Sequence, residues 1–134
     1  MIYLLDSNAC IGWLRQREPK LVARIKREPR RNIVLCSVVV GELLYGVERG
    51  AAAQRAKSLL RVEQLRLRFA SIPFDDSAAE EYGRIRAHLA SLGQLIGAND
   101  MLIAAIALAN SLTLVTHNTT EFRRVPQLLL EDWQ

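Results

Sequence analysis

Cysteine and histidine are both scarce in these 134 residues, with two of each. Cys10 and Cys36 make no zinc pattern, and two thiols are too few for a disulfide framework, so both are expected free and buried. No nucleophilic Ser–His pair is evident, and His88 falls mid-helix between Arg86 and Leu89, where it is expected to be exposed. There is no GxGxxG and no P-loop, which excludes dinucleotide and ATP binding of the usual kinds. Long hydrophobic runs are missing too. The longest nearly uncharged stretch, Met101 to Thr116, is short and is broken by Asn110 and Ser111, so no bilayer span is expected. Met1 leads straight into an apolar run with no basic segment before it, so a signal peptide is not expected. No repeat, low-complexity tract or linker divides the chain. These absences predict one soluble, cytoplasmic domain over residues 1–134.

Half the residues are hydrophobic, enough for one sizeable core and too many for a disordered chain. The net charge of +4 conceals an asymmetry. Fourteen of the eighteen Lys and Arg lie in residues 1–70 against six acids, so the first half is strongly basic and the second acidic. Most of these cations are Arg, whose guanidinium suits bidentate phosphate contact. A basic half points to an anionic partner such as nucleic acid, although Arg24, Lys26 and Arg27 fit a solvated helix face equally well.

Short apolar runs at 2–5, 33–36, 71–74 and 112–116 predict strands, the first two buried on both faces. A final apolar segment, 128–130, adds a candidate fifth. Between them lie helical patterns at 9–15, from Pro19 onward, 38–49, 51–69, 77–92 and 98–111. Ser37 is a plausible N-cap, Gly50 and Gly93 plausible stops, and Ser77 with Glu80 has capping-box spacing. Strands alternating with helices predict a mainly parallel sheet of four or five strands between helical layers. Ligands of such a sheet sit beyond the carboxyl ends of its strands.

The acids are placed where core-building alone would not put them. Asp6 follows the first strand directly. Glu42 interrupts the apolar VVVGELLYGV, Asp100 opens the mostly apolar DMLIAAIALA, and Glu121 follows the fourth strand. Unpaired carboxylates among apolar neighbours are costly to bury and raise one another's pKa, and a divalent cation resolves both. Carboxylate oxygens suit Mg²⁺ or Mn²⁺ rather than zinc. Nearby helix N-termini favour phosphate, so phosphodiester chemistry fits the pattern. Each acid also has a plainer role. Asp6 caps a helix, Glu42 pairs with an Arg, Asp100 complements a helix dipole, and Glu121 closes an Asn118–Glu121 capping box. Asp75 and Asp76 are explained by the helix they open.

YLLDSN at 3–8, GELLYG at 41–46, IGANDMLIAAIAL at 96–108, LVTHNTTEF at 114–122 and EDW at 131–133 together resemble the PIN-domain ribonucleases. Within them the sequence is similar to the VapC toxins of bacterial toxin–antitoxin pairs. The resemblance covers nearly the whole chain and rests on motif order and spacing. It implies a three-layer α/β/α sandwich, a Mg²⁺- or Mn²⁺-dependent acidic site for RNA hydrolysis, a homodimer, and inhibition by a VapB-like antitoxin. It carries the metal-binding acids onto Asp6, Glu42 and Asp100, with Glu121 the nearest candidate for a fourth catalytic acid. Asn118 stands where many members have Asp. Ser7, Asn8, Thr116 and Asn118 are expected to hold the acids by hydrogen bonds. Arg residues of the first half are expected to hold the RNA backbone, with tRNA a candidate substrate. Ile11, Trp13, Leu14, Leu43, Leu44 and Tyr45 are expected to offer a groove for an amphipathic antitoxin helix.

Two other readings compete. A phosphatase of the haloacid-dehalogenase kind also has Asp after its first strand, but needs a second Asp two residues on, where Asn8 stands. A non-catalytic RNA- or antitoxin-binding domain would not need all three carboxylates.

Overall fold

Five short apolar runs become one all-parallel sheet in the computed structural model, which describes residues 1–134. The strands are β1 (Tyr3–Leu5), β2 (Ile33–Cys36), β3 (Ala70–Ile72), β4 (Thr113–Val115) and β5 (Leu129–Glu131). Every residue of β1, β2 and β4 is buried, which accounts for their continuous apolar sequences. The edge strands β3 and β5 are more exposed.

The helices are α1 (Ser7–Arg15), α2 (Pro19–Arg27), α3 (Ser37–Glu48), α4 (Arg55–Arg68), α5 (Asp76–Ser91), α6 (Ala98–Ala109) and α7 (Thr119–Phe122). They flank the sheet in a three-layer α/β/α arrangement. Buried Ala104, Ala105 and Ala107 leave little side chain on α6, so the helix lies close to its neighbours. Its sequence is apolar all round because it packs on several sides. The core is one continuous cluster of 34 buried residues. No helix is long and apolar enough to cross a membrane.

Strand order is β3-β2-β1-β4-β5. The chain builds outward from β1 to β3, then returns to the other flank of β1. The order therefore reverses between β1 and β4, and the crevice at their carboxyl ends is where such sheets bind ligands. The Asp6 amide donates to the Val115 carbonyl at 3.1 Å and seals that junction.

The C-terminal strand is held by an aromatic clasp. The Tyr3 and Trp133 rings meet edge to face at 4.9 Å. The Arg24 guanidinium lies 4.5 Å from the Trp133 ring centre and pairs with Glu28 at 3.2 Å. Arg24 is thus a packing residue and not part of a solvated face.

Several local expectations are corrected. Cys36, not Ser37, is the N-cap of α3. The Ser37 hydroxyl instead accepts from the Phe74 amide at 3.1 Å and so ties α3 to the exit of β3. Asp75 caps α5 by accepting from the Ala78 amide at 3.0 Å, which displaces Ser77 from that role. Residues 51–69 are not one helix, since a 3-10 turn at Ala52–Gln54 precedes α4. Gly50 stops α3 without a left-handed turn, whereas Gly93 adopts φ +64° after α5. Cys10 and Cys36 are free and buried, as expected. Burial pushes Cys36 up to about 11, so its thiol is protonated at neutral pH.

Candidate active site

Asp6 is placed by two elements at once. It ends β1 and caps α1, with Oδ1 accepting from the Ala9 amide at 2.8 Å. Capping and burial coexist, so its plainer role does not compete with membership of a site. Its carboxyl is raised above the ordinary range, chiefly by burial, with Glu42 and Asp132 adding repulsion. The Thr116 hydroxyl and the Ala9 amide pull the other way by favouring the charged form.

Glu42 reaches the same crevice from α3. Its Oε1 accepts from the Ser7 hydroxyl at 2.7 Å, and it pairs with no Arg. Asp100 sits in the first turn of α6. Burial, and then Glu42, Glu121 and Asp6 in that order, push its carboxyl from 3.8 to about 6. A helix N-terminus ordinarily lowers a carboxyl's pKa, so dipole complementation alone does not describe Asp100. Neither Asp6, Glu42, Asp100 nor Glu121 forms an ion pair with Lys, Arg or His.

Glu121 is not half of a capping box. The Asn118 side chain makes no cap bond to α7. It donates through Nδ2 to Glu121 Oε2 at 3.2 Å, while its backbone amide is taken by Thr116 Oγ1 at 3.0 Å. Thr116 therefore touches both sides of the crevice. Asn8 is exposed and lines its mouth.

A cleft of about 510 Å³ adjoins the crevice, and Ser7, Asn8, Glu42, Asn99, Arg15, Arg49 and Arg61 are among the residues that line it. Ile11, Leu14, Leu43 and Tyr45 supply its apolar surface. Trp13 and Leu44 are not part of this lining, which narrows the expected groove.

The four acids are electrostatic neighbours, but no three His, Cys, Asp or Glu side chains stand tightly enough together to hold an ion as placed. The donor set nevertheless suits a hard divalent cation. It is all oxygen, it is partly buried, and no cation of the protein offsets its charge. Like charges gathered in this way repel one another, and a bound cation would relieve that repulsion.

The sequence matches the PIN domain family over residues 3–128. The chain belongs to the PIN domain family. This PIN domain is 37% identical to the ribonuclease VapC2 of Rickettsia felis, over 99% of this chain and 98% of that protein. It is 34% identical to the tRNA(fMet)-specific endonuclease VapC of Salmonella typhimurium, over 98% of this chain and 97% of the relative. Among solved structures it superposes on a chain of the VapBC2 complex of Rickettsia felis bound to a promoter DNA fragment. That match has a TM-score of 0.92 at 33% identity and covers 100% of both chains. A chain of the FitAcB structure of Neisseria gonorrhoeae matches with a TM-score of 0.88 at 29% identity, covering 99% of each.

Two residues of the site went unread in the sequence. Gly97 precedes α6, and a Cβ there would stand 3.2 Å from Asp100 Oδ2, so glycine leaves room for that carboxylate. The only signal was its place in IGAND. Asp132 joins because β5 pairs with β4 in register, Val115 opposite Glu131, which sets the next residue beside the crevice. Its Oδ2 lies 2.9 Å from His117 Nδ1. His117 is exposed and faces this acid at the rim.

Proposed function

We propose that this PIN domain is the toxin of a type II toxin–antitoxin pair, an endoribonuclease that hydrolyses RNA phosphodiester bonds at the Asp6–Glu42–Asp100 cluster. One observation carries the reading most. Asp100 is pushed to about 6 by burial and by three other carboxylates at the β1–β4 crevice, with no protein cation to offset them. Such an arrangement is costly for folding alone and suited to a divalent ion, here Mg²⁺ or Mn²⁺.

Asp6 and Asp100 would hold the ion directly, and Glu42 directly or through water. When bound, the ion polarises the phosphate and supplies counter-charge to the developing oxyanion. Ser7 fixes Glu42 through Oε1, which leaves Oε2 free to take a proton from the attacking water. Thr116 and Ala9 favour the charged form of Asp6 against the larger opposing effect of its burial. Asn118 holds Glu121 by a hydrogen bond, and Glu121 would act as an outer acid beside Asp100. Arg15, Arg49 and Arg61 line the adjoining cleft, where the RNA backbone would run.

The VapC relatives include a tRNA(fMet)-specific endonuclease, which supports tRNA as the substrate. The solved VapBC complexes support a VapB-like antitoxin as partner. Its amphipathic helix would seat on Ile11, Leu14, Leu43 and Tyr45, covering the RNA path. The toxin would act in the cytoplasm as a homodimer.

Induction in a bacterial host tests the reading. Growth arrest should appear with new 5′ ends at a small set of RNA sites, and Asp6→Asn should abolish both. Arrest by Asp6→Asn without new ends would favour a non-catalytic binding domain instead.

A further inference from the structure

A second cleft, of about 460 Å³, adjoins the first and shares Leu14 and Arg61 with it. Trp13 of α1, Arg30 of the 3-10 turn Arg30–Asn32, and Arg61, Gln64 and Arg68 of α4 line it, and no carboxylate does. The Arg68 guanidinium lies 5.0 Å from the Trp13 ring centre and 5.3 Å from that of Phe69. Its Nε is shut from solvent with no hydrogen-bond partner. Arg30, Arg61 and Arg68 make no ion pair, since those of the chain use Arg24, Arg66, Arg84 and His117. Burial, and then the charge of Arg30, weaken the hold of Arg68 on its proton. Cations held together without a counter-charge repel, and an anion seated among them removes that cost.

We propose that this cleft is a nucleotide subsite for RNA, seating one phosphate and one unstacked base remote from the scissile bond. The proposal rests on the ribonuclease reading above. Guanidinium forks match a phosphate bidentately. The Trp13–Arg68 stack is a platform of the kind on which single-stranded bases pack, and the Gln64 amide offers both donor and acceptor to a base edge. The shared wall at Leu14 and Arg61 makes one track from Glu42 to this platform. An acidic peptide would neutralise the arginines but would leave the aromatic platform unused, so RNA is the better fit.

The test measures fluorescence anisotropy of a labelled, mixed-sequence single-stranded RNA of about 12 nucleotides, on the full chain carrying Asp6→Asn so that it is not cut. Arg30 is on an exposed turn, so Arg30→Glu keeps the fold. It should weaken binding about tenfold and reduce the slope of log affinity against log salt by about 0.7. Trp13→Leu should weaken binding at least about fivefold without changing that slope, and Trp13→Phe should restore most of the loss. Melting temperatures confirm that each variant is folded. If the unsubstituted protein cuts RNA while both variants bind it with unchanged affinity and slope, the subsite is refuted and the ribonuclease reading stands. If the unsubstituted protein neither binds nor cuts RNA, both fall. If Arg30→Glu spares RNA but loses binding of a hexaglutamate peptide, the cleft belongs to an acidic protein segment and the proposal is overturned.

Discussion

Ser7 and Glu42 lie thirty-five positions apart in the chain and are joined by a hydrogen bond of 2.7 Å from the serine hydroxyl to Oε1. The bond ties the first turn of α1 to α3 and fixes one oxygen of the carboxylate that faces the crevice. Ser7→Ala frees Glu42 to rotate. A side-chain hydrogen bond to a charged group is worth about 1.5–3 kcal/mol, which corresponds to roughly a 10- to 150-fold loss of rate. The loss should fall on kcat rather than KM, and Ser7→Thr should recover most of it. Steady-state cleavage of a fluorogenic RNA checks this.

Asp100 gives a pH signature for the metal-free protein. Its folded-state pKa is raised, to about 6 from 3.8, so the folded state prefers the protonated acid. Its contribution to stability is therefore fully present below about 3.8 and lost as pH rises through about 6. After discounting for partial exposure, the loss is on the order of 1–2 kcal/mol. Urea unfolding in EDTA should show lower stability at pH 7.5 than at pH 5 from this group. Asp100→Asn should flatten that difference, stabilise the metal-free protein at pH 7.5, and abolish RNA cleavage.

Gly97→Ala places a methyl group 3.2 Å from Asp100 Oδ2 and must displace that carboxylate. The backbone there is extended, with φ −54° and ψ 145°, which alanine adopts without strain. The melting temperature should stay within about 2 °C, while the Mn²⁺ concentration giving half-maximal activity rises about tenfold. Unchanged Mn²⁺ dependence would separate Gly97 from the site.

Glu121 bonds to the Asn118 side chain and does not cap α7, so Glu121→Ala should change unfolding free energy by less than about 0.5 kcal/mol. Loss of a true cap would cost about 1 kcal/mol. Cleavage should nonetheless fall severalfold, because Glu121 contributes to the field that Asp100 experiences. Full activity in the variant would remove Glu121 from the site.

Much of this was legible because it is local. β2 runs from Ile33 to Cys36, as its apolar run indicates, and Asp6, Glu42 and Asp100 stand out as acids in apolar surroundings. The errors came from partners that residue type and spacing do not reveal. Ser37 has the residue type of an N-cap, but its hydroxyl meets the Phe74 amide, a partner set by sheet pairing and not by spacing. Asn118 and Glu121 have capping-box spacing, but the Thr116 hydroxyl takes the Asn118 amide and the Asn118 side chain bonds to Glu121 instead. Asp132 reaches the crevice through the register of β5 on β4. The cationic cleft was unreadable for the same reason. The sequence reads the arginines as RNA contacts and Trp13 as part of an apolar groove, and only the fold brings Trp13, Arg30 and Arg68 together from three elements.

On the proposed mechanism, one carboxylate cluster both holds a divalent ion and cuts RNA. Purified protein and its Asp6→Asn variant should be compared for Mn²⁺ binding by electron paramagnetic resonance and for RNA cleavage in the same samples. The unsubstituted protein should bind Mn²⁺ and cut RNA, EDTA should stop the cutting and Mn²⁺ or Mg²⁺ restore it, and Asp6→Asn should lose both together. Undiminished cleavage in EDTA, or an Asp6→Asn protein that still cuts at the normal rate, would contradict that mechanism.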